Sequence, residues 1–161
     1  FRSNIEEISK FTLDVVDDTY YDRAMHTRGY GGHCLVAGTN YGQGSSREHA
    51  ALAPRYLGLR FVIAKSYARL HWQNLVNFGA LPLNFINDED HAAIDQGDDL
   101  QIDNVREQVQ SGDKVEVTNT TQDETFTVKH TLSDRQVNIF LRGGLINVMK
   151  EKLKEDSEIP A

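Results

Sequence analysis

Cysteine is almost absent from this sequence, because Cys34 is the only one in 161 residues. One thiol cannot form an intramolecular disulfide, and it cannot supply the several cysteine ligands that a zinc site or an iron–sulfur cluster usually requires. The sequence therefore excludes a disulfide-stabilised fold and a self-contained iron–sulfur protein. A reducing compartment is expected.

Long apolar runs and an excess of positive charge are missing as well. No apolar run approaches the roughly 18 residues that a membrane-spanning helix needs. Lys and Arg number 17 against 24 Asp and Glu, so the formal net charge is −7 and the pI is near 5.3. A protein that binds the nucleic-acid backbone needs a basic surface. We therefore expect neither a membrane nor a nucleic acid as a partner.

The length and composition predict one soluble globular domain. A chain of 161 residues and 18.2 kDa, with 39% hydrophobic and 25% charged residues, has room for one ordinary core. The opening residues Phe1-Arg2-Ser3-Asn4 contain neither an initiator Met nor the apolar core of a signal peptide. We expect the chain to be part of a longer polypeptide.

The first half of the chain shows the pattern of a β-α-β-α unit. Residues 33–38 form a short apolar run bounded by glycines, which predicts a buried strand. Residues 61–64 predict a second strand, and Ser66 is the expected N-cap of a helix that ends near Gly79. Residues 81–85 predict another strand, in which Pro82 indicates a sheet edge or a strand start.

The second half predicts antiparallel strands followed by helices. Residues 100–102, 114–117 and 125–128 alternate apolar with polar side chains, as strands with one solvated face do. Residues 133–141 and 145–153 predict two helices separated by Gly143-Gly144. The fold class expected from these patterns is α/β.

The most informative segment follows the first predicted strand and reads Asn-Tyr-Gly-Gln-Gly-Ser-Ser-Arg-Glu-His at residues 40–49. Its glycines let the backbone approach a ligand, and the free N–H groups of a helix start attract an anion. Arg47 can bind a carboxylate or phosphate through two hydrogen bonds, and Ser45 or Ser46 can donate to that anion or act as an oxygen base. No Lys follows the second glycine, so the segment is not a P-loop.

Simpler interpretations of these residues remain open from spacing alone. Ser45 and Glu48 have the spacing of a helix capping box, which requires no catalysis. His71 lies on the predicted helix after the second strand, where a packed helix with polar contacts is the simpler interpretation. Arg2 alone would be an exposed arginine near the chain terminus.

The block at residues 40–55, continued by residues 64–71 and 74–83, closely resembles the aconitase family. The resemblance covers about residues 1–150 and includes the opening Phe-Arg-Ser-Asn-Ile-Glu-Glu-Ile-Ser, which is similar to a family segment with a substrate-binding arginine. In that family the matching piece is the C-terminal swivelling domain, a three-layer β/β/α fold that closes over a [4Fe–4S] cluster. The resemblance implies that residues 1–161 form a single domain of this type and a fragment of a longer multidomain enzyme.

The resemblance also implies roles for four residues. Ser45 is similar to the serine whose alkoxide removes and returns a carbon-bound proton while citrate and isocitrate interconvert through cis-aconitate by dehydration and rehydration. Ser46 and Arg47 are similar to the pair that binds a substrate carboxylate. Arg2 is similar to the arginine that clamps the distal carboxylate. No residue of this chain is expected to bind a metal.

The expected partners follow from the same resemblance. The [4Fe–4S] cluster would be ligated by other domains of the full-length enzyme, with its iron acting as a Lewis acid. Those domains and the substrates citrate, isocitrate and cis-aconitate are the expected partners, and the isolated chain is expected to be an inactive part of a lyase. The expected location is the cytoplasm, or the mitochondrial matrix in a eukaryote.

Two alternatives differ in class from a single-chain aconitase. The first is a separate small subunit of isopropylmalate dehydratase or homoaconitase, which shares the Gly-x-Gly-Ser-Ser-Arg-Glu-His core. The continuation Ala-Ala-Leu-Ala-Pro-Arg at residues 50–55 and the opening around Arg2 are more similar to single-chain aconitases. The second is RNA binding, known for some aconitase relatives, which the net charge of −7 disfavours.

Overall fold

The computed structural model describes residues 32–43 and 58–158, with side chains through residue 153. Six strands and five helices occur within these ranges. Their order is β1 His33–Ala37, β2 Leu59–Ala64, α1 Arg69–Asn77, β3 Leu81–Phe85, α2 Asp88–Ala92, β4 Leu100–Gln101, α3 Val105–Ser111, β5 Lys114–Asn119, β6 Glu124–Lys129, α4 Asp134–Leu141 and α5 Leu145–Glu158. None of these helices combines the length and the apolar character that crossing a membrane requires.

The six strands form one mixed sheet in the order β1-β2-β3-β6-β5-β4. Strands β1, β2 and β3 are parallel, and we call them the parallel end. Strands β6, β5 and β4 pair antiparallel, and they form the antiparallel end together with the loops that flank them. The two ends meet where Asn84 and Phe85 of β3 pair with β6. This arrangement confirms the predicted α/β class.

Strand β2 is buried on both faces, as central strands of parallel sheets are. Its Ile63 belongs to a core that extends across β3, β5 and β6 and includes Val109 of α3. Its Val62 and Ala64 point to the other face and pack with Leu75 of α1. Helix α1 therefore covers the parallel end on the face opposite the main core.

Strand β1 has nearly its predicted bounds but not its predicted burial. All five of its residues are partly exposed. Strand β1 is the terminal strand of the described sheet and pairs only with β2, so it has a neighbour on one side. The prediction of a strand is confirmed, and the prediction that it is buried is wrong for this reason.

The predicted N-cap of α1 is wrong. The helix begins at Arg69, and Ala68 occupies the N-cap position without a side-chain hydrogen bond. The Ser66 hydroxyl instead accepts a hydrogen bond of 2.7 Å from the backbone N–H of Asn40. A partner 26 residues earlier in the chain has therefore replaced the local cap.

The remaining predictions from local pattern agree with the structure in most respects. Strands β5 and β6 pair antiparallel, and Val115 and Val117 of β5 are fully buried, as the alternation predicts. Strand β3 is interior, so Pro82 lies near a strand start and not at a sheet edge. Helix α4 begins at a capping box formed by Ser133 and Gln136. Helices α2 and α3 were not predicted.

Candidate functional site

The four predicted site residues, Arg2, Ser45, Ser46 and Arg47, lie outside the described residues. The structure reaches Gln43, two residues before Ser45. It therefore describes the turn that leads into the Gly-Ser-Ser-Arg segment. That turn is the part of the candidate site that the structure describes.

Two neighbouring turns meet at the carboxyl edge of the parallel end. The first turn, residues 38–43, follows β1, and the second turn, residues 65–68, follows β2. The backbone N–H of Tyr41 donates to the Ser66 carbonyl at 3.0 Å, and the Ala68 N–H donates to the Tyr41 carbonyl at 2.9 Å. Together with the bond from Asn40 to the Ser66 hydroxyl, these contacts fix the first turn to the second. Ligands of open α/β sheets bind outside this same edge.

The backbone of the first turn uses the left-handed region twice. Asn40 has φ of 54° and Gly42 has φ of 87°. Asn tolerates this conformation and Gly adopts it without a steric penalty. Gly42 is required for a second reason, because a Cβ atom there would lie 2.3 Å from Cγ of His71. The turn therefore comes closer to α1 than any other residue type would allow.

Three aromatic rings lie beneath the first turn, and we call them the tyrosine–histidine cluster: Tyr41, Tyr67 and His71. The Tyr41 ring meets the His71 ring edge to face, with centroids 4.9 Å apart. It meets the Tyr67 ring in the same way at 6.1 Å. Such edge-to-face pairs favour a fixed arrangement of the rings.

The cluster is attached to the sheet through Tyr67. The Tyr67 hydroxyl lies 3.0 Å from the carbonyl oxygen of Val62 and 2.6 Å from that of Leu83, so its one proton is shared between β2 and β3. Burial raises the pKa of Tyr41 to about 12 and raises that of Tyr67 well above its usual value. Both phenols therefore stay uncharged at physiological pH.

His71 is buried without polar contacts. Its side chain is 2% exposed, and neither ring nitrogen has a hydrogen-bond partner in the described part of the chain. Burial lowers the pKa of His71 below its usual 6.5. The imidazole is therefore neutral, and it contacts the turn through packing.

Sequence reasoning recognised only part of this arrangement. His71 was predicted to lie in a packed helix with polar contacts. Its burial agrees with that prediction, but its ring nitrogens make no hydrogen bond within the described residues. The cluster as a unit was not predicted. One signal was present in the sequence, since Tyr41 lies three residues beyond the first predicted strand and Tyr67 precedes His71 by four residues, the spacing of one helical turn.

The described residues do not fit a [4Fe–4S] cluster. Across residues 32–43 and 58–158 there is no group of three or more His, Cys, Asp or Glu side chains that could hold a metal ion. The lone thiol, Cys34, lies in β1, and burial raises its pKa to about 12, which disfavours the thiolate that a metal would bind. The described residues therefore do not provide a ligand set for such a cluster.

Curated relatives of this chain are much longer enzymes. A mitochondrial putative aconitate hydratase of Emericella nidulans is 43% identical over 123 residues, which cover 73% of this chain and 16% of the relative. A mitochondrial homocitrate dehydratase of Saccharomyces cerevisiae is 42% identical over 120 residues, which cover 70% of this chain and 15% of the relative. The chain thus spans about a sixth of the length of the relatives it matches.

A solved structure shares the fold. The 3-isopropylmalate dehydratase (leuD) of Methanocaldococcus jannaschii superposes with a TM-score of 0.77 at 29% identity, covering 96% of this chain and 82% of that one. The family model described as the aconitase C-terminal domain matches residues 4–88, which include both turns of the candidate site. The chain belongs to the aconitase C-terminal domain family.

Proposed function

We propose that this chain is the substrate-binding and proton-transferring domain of an aconitate hydratase, which interconverts citrate and isocitrate through cis-aconitate. In this proposal residues 1–161 form one domain of a longer enzyme. The observation that carries it is a turn at residues 38–43 that is fixed at the carboxyl edge of β1 and β2 and continues in sequence into Gly-Ser-Ser-Arg at residues 44–47. Relatives 42–43% identical to the chain are named as a hydratase and a dehydratase.

Ser45 is the proposed base. Dehydration of a hydroxy tricarboxylate removes a proton from a carbon atom next to a carboxylate, and that carbon is weakly acidic. A serine hydroxyl is a very weak base unless its alkoxide is stabilised. The guanidinium of Arg47, two residues later, supplies a positive charge for that purpose, and the predicted helix start supplies N–H groups.

Ser46, Arg47 and Arg2 are the proposed carboxylate-binding residues. A guanidinium binds a carboxylate through two parallel hydrogen bonds, so two arginines can hold two carboxylates of one substrate in a defined orientation. The chain carries a net charge of −7, so an anionic substrate needs such local positive groups to bind here. Orientation by these groups would place the reacting carbon against Ser45.

The other domains of the enzyme are the proposed partners. The described residues do not fit a [4Fe–4S] cluster, so we assign ligation of the family's cluster to those domains. The isolated 161-residue chain should then show no turnover of citrate, isocitrate or cis-aconitate. The mitochondrial names of the fungal relatives favour the mitochondrial matrix as the location in a eukaryotic host.

A second substrate class has specific support. The fold is shared with an isopropylmalate dehydratase, and one relative is named a homocitrate dehydratase. All of these names describe dehydration of a hydroxy acid, so the reaction type is the same and the side group of the substrate differs. Assays of the complete enzyme with cis-aconitate, homoaconitate and isopropylmalate would identify the substrate.

Substitution of Ser45 tests the proposed base. In the complete enzyme Ser45→Ala should lower kcat by about 10³-fold, because the proton on carbon loses its acceptor. Arg47→Lys should lower kcat and raise KM together, because the two-pronged contact serves both the bound substrate and the transition state. Steady-state kinetics on each variant measures both effects.

Ser133 provides the matched control. It forms a structurally defined capping box with Gln136, the role that Ser45 and Glu48 would have if they did no chemistry. Ser133→Ala should lower the free energy of unfolding by about 1 kcal/mol and leave kcat unchanged. If Ser45→Ala behaves in the same way, Ser45 is only a helix cap and the proposed function is wrong.

A further inference from the structure

The contact between His71 and Gly42 joins a buried helix residue to the segment that precedes the proposed base. A Cβ atom at Gly42 would lie 2.3 Å from Cγ, 2.4 Å from Cβ and 2.6 Å from Cδ2 of His71, so the ring and the turn already touch. Gly42 is three residues before Ser45 in the sequence. His71 therefore packs directly against the backbone that carries the chain toward the Gly-Ser-Ser-Arg segment.

The hydrogen bonding of His71 is unusual for a buried imidazole. Its two ring nitrogens are both without a partner in the described ranges, although the side chain is 2% exposed. A buried polar group without a hydrogen bond destabilises a protein by about 1–3 kcal/mol, and each such group in a native structure needs an explanation. The three His71 atoms nearest to the position of a Cβ atom at Gly42 are carbons, two of them in the ring, so the ring nitrogens are not the atoms that meet the turn.

Two residues of the first turn have backbone conformations that depend on contacts with neighbouring residues. Asn40 and Gly42 both have positive φ, a conformation that is maintained when the surroundings fix it. Hydrogen bonds to the second turn hold Asn40 and Tyr41. At Gly42, the three atoms nearest to the position that a Cβ atom would take all belong to His71.

We infer that His71 is a positioning residue: its neutral ring fixes the turn at Gly42, from which the chain continues in sequence to Ser45 and Arg47. The inference rests on the proposed function, since it assigns a purpose to the turn through those two residues. His71 acts through Tyr41 and Gly42 and does not itself touch the substrate. A shift of about 1 Å in a catalytic group can lower a rate by about a hundredfold, so a small change in this contact would be visible in kinetics.

The test compares His71→Ala with His130→Ala in the complete enzyme. His130 is the matched control because it is also buried, at 5% exposed, and lies at the antiparallel end, away from the turns. We expect His71→Ala to lower kcat by about a hundredfold per folded molecule at a temperature well below both melting points. His130→Ala should lower the melting temperature and leave kcat unchanged.

Two conservative variants separate the ring from its nitrogens. His71→Phe keeps an aromatic ring against Gly42 and should retain kcat within about threefold of the wild type, because hydrophobic replacements of similar shape are tolerated best. His71→Asn keeps a polar group and loses the ring, so it should be as impaired as His71→Ala. Activity in the Asn variant together with inactivity in the Phe variant would overturn the inference, since the nitrogens would then be the acting groups.

Gly42→Ala tests the same contact from the other side. It introduces the Cβ atom that meets the His71 ring, and it should lower kcat to a similar degree. His71→Ala keeps the Cβ atom of residue 71, 2.4 Å from the added Cβ atom, so the double variant should be no more active than Gly42→Ala alone. Normal kcat and KM in Gly42→Ala would contradict the inference.

The Ser45→Ala variant makes the two hypotheses separable. If Ser45→Ala keeps full activity, the proposed function is wrong whatever His71 does. If Ser45→Ala is inactive and His71→Ala has normal kcat and KM, the proposed function stands and the positioning role of His71 is wrong. Circular dichroism of each purified variant confirms that the comparison is made between folded proteins.

Discussion

Two buried histidines, one at each end of the sheet, are held in different ways. His130 follows β6, and its Nε2 atom donates to the carbonyl of Gly112 at 2.6 Å while Nδ1 accepts from the N–H of Leu132 at 3.1 Å. His71 at the parallel end has packing contacts and no hydrogen bond to either ring nitrogen within the described residues. His130 thus fixes loops through hydrogen bonds, whereas His71 packs against a turn through its ring.

The same difference extends to other ionisable groups. At the antiparallel end, Asp98 Oδ2 accepts hydrogen bonds from Asn119 at 2.8 Å, from the N–H of Asp95 at 2.9 Å and from Gln122 at 2.6 Å. The bond from Asn119 is the main reason that the pKa of Asp98 is lowered. Hydrogen bonding there favours the charged form of the group.

At the parallel end burial favours the uncharged form of four described side chains whose pKa values are shifted. Desolvation raises the pKa values of Cys34, Tyr41 and Tyr67 and lowers that of His71. These four groups are therefore uncharged near neutral pH, whereas the carboxylate of Asp98 at the antiparallel end is charged.

The reactivity of Cys34 gives the largest expected effect and tests whether the parallel end is as desolvated as its pKa values indicate. With the pKa raised from 9.0 to about 12, the thiolate fraction at pH 8 is about a thousandfold lower than in an ordinary cysteine. Alkylation by iodoacetamide, followed by mass spectrometry, should therefore be about a thousandfold slower in the native chain than in the urea-unfolded chain. A difference below tenfold would show that the Cys34 thiol is not desolvated, although β1 as a whole is partly exposed.

Local patterns were sufficient to predict the strands of the antiparallel end. Alternation along residues 114–117 and 125–128 reports burial on one face, because successive strand residues point to opposite sides. Ser133 and Gln136 carry a capping box that the structure contains, in agreement with the helix predicted at residues 133–141. Helices α2 and α3, of five and seven residues, were missed because so short a segment has almost no periodic signal.

The parallel end depends on contacts between distant residues, which spacing does not reveal. Ser66 has the local pattern of an N-cap, yet its hydroxyl binds Asn40 from the preceding turn. Gly42 is necessary because His71, 29 positions later, occupies the space of its side chain. The family resemblance supplied the roles of Ser45, Ser46, Arg47 and Arg2, which remain predictions because those residues lie outside the described ranges.

The stability of alanine variants should show an intermediate effect and would sharpen the contrast between the two histidines. His130→Ala leaves the Gly112 carbonyl and the Leu132 N–H without partners and creates a cavity, so the free energy of unfolding should fall by about 3 kcal/mol. His71→Ala also creates a cavity but removes two unpaired nitrogens, so the loss should be about 1 kcal/mol. Urea denaturation at pH 7.5 measures both.

The matched variants His130→Phe and His71→Phe separate the polar term from the cavity. His130→Phe should stay destabilised, because the ring is retained and both hydrogen bonds are lost. His71→Phe should be close to the wild type or more stable, because no hydrogen bond is lost. Equal losses at the two positions would show that the His71 nitrogens have partners in solution, and the contrast would fail.

The pH dependence of stability gives the smallest expected effect and follows from the His71 pKa alone. The pKa is lowered in the folded protein from 6.5, so the unfolded chain binds a proton more readily, and stability must fall as the pH drops below 6.5. Among the described residues, Tyr41 meets the His71 ring and Tyr67 meets Tyr41; both have raised pKa values and stay neutral in this range. The lowered pKa of Asp98 acts only below its usual 3.8. Between pH 7.5 and 5.5 the wild type should therefore lose more unfolding free energy than His71→Phe, as measured by urea denaturation at each pH. Parallel pH profiles for the two proteins would mean that the buried imidazole is protonated as easily in the folded state as in the unfolded one, and burial would then not favour the neutral form of His71.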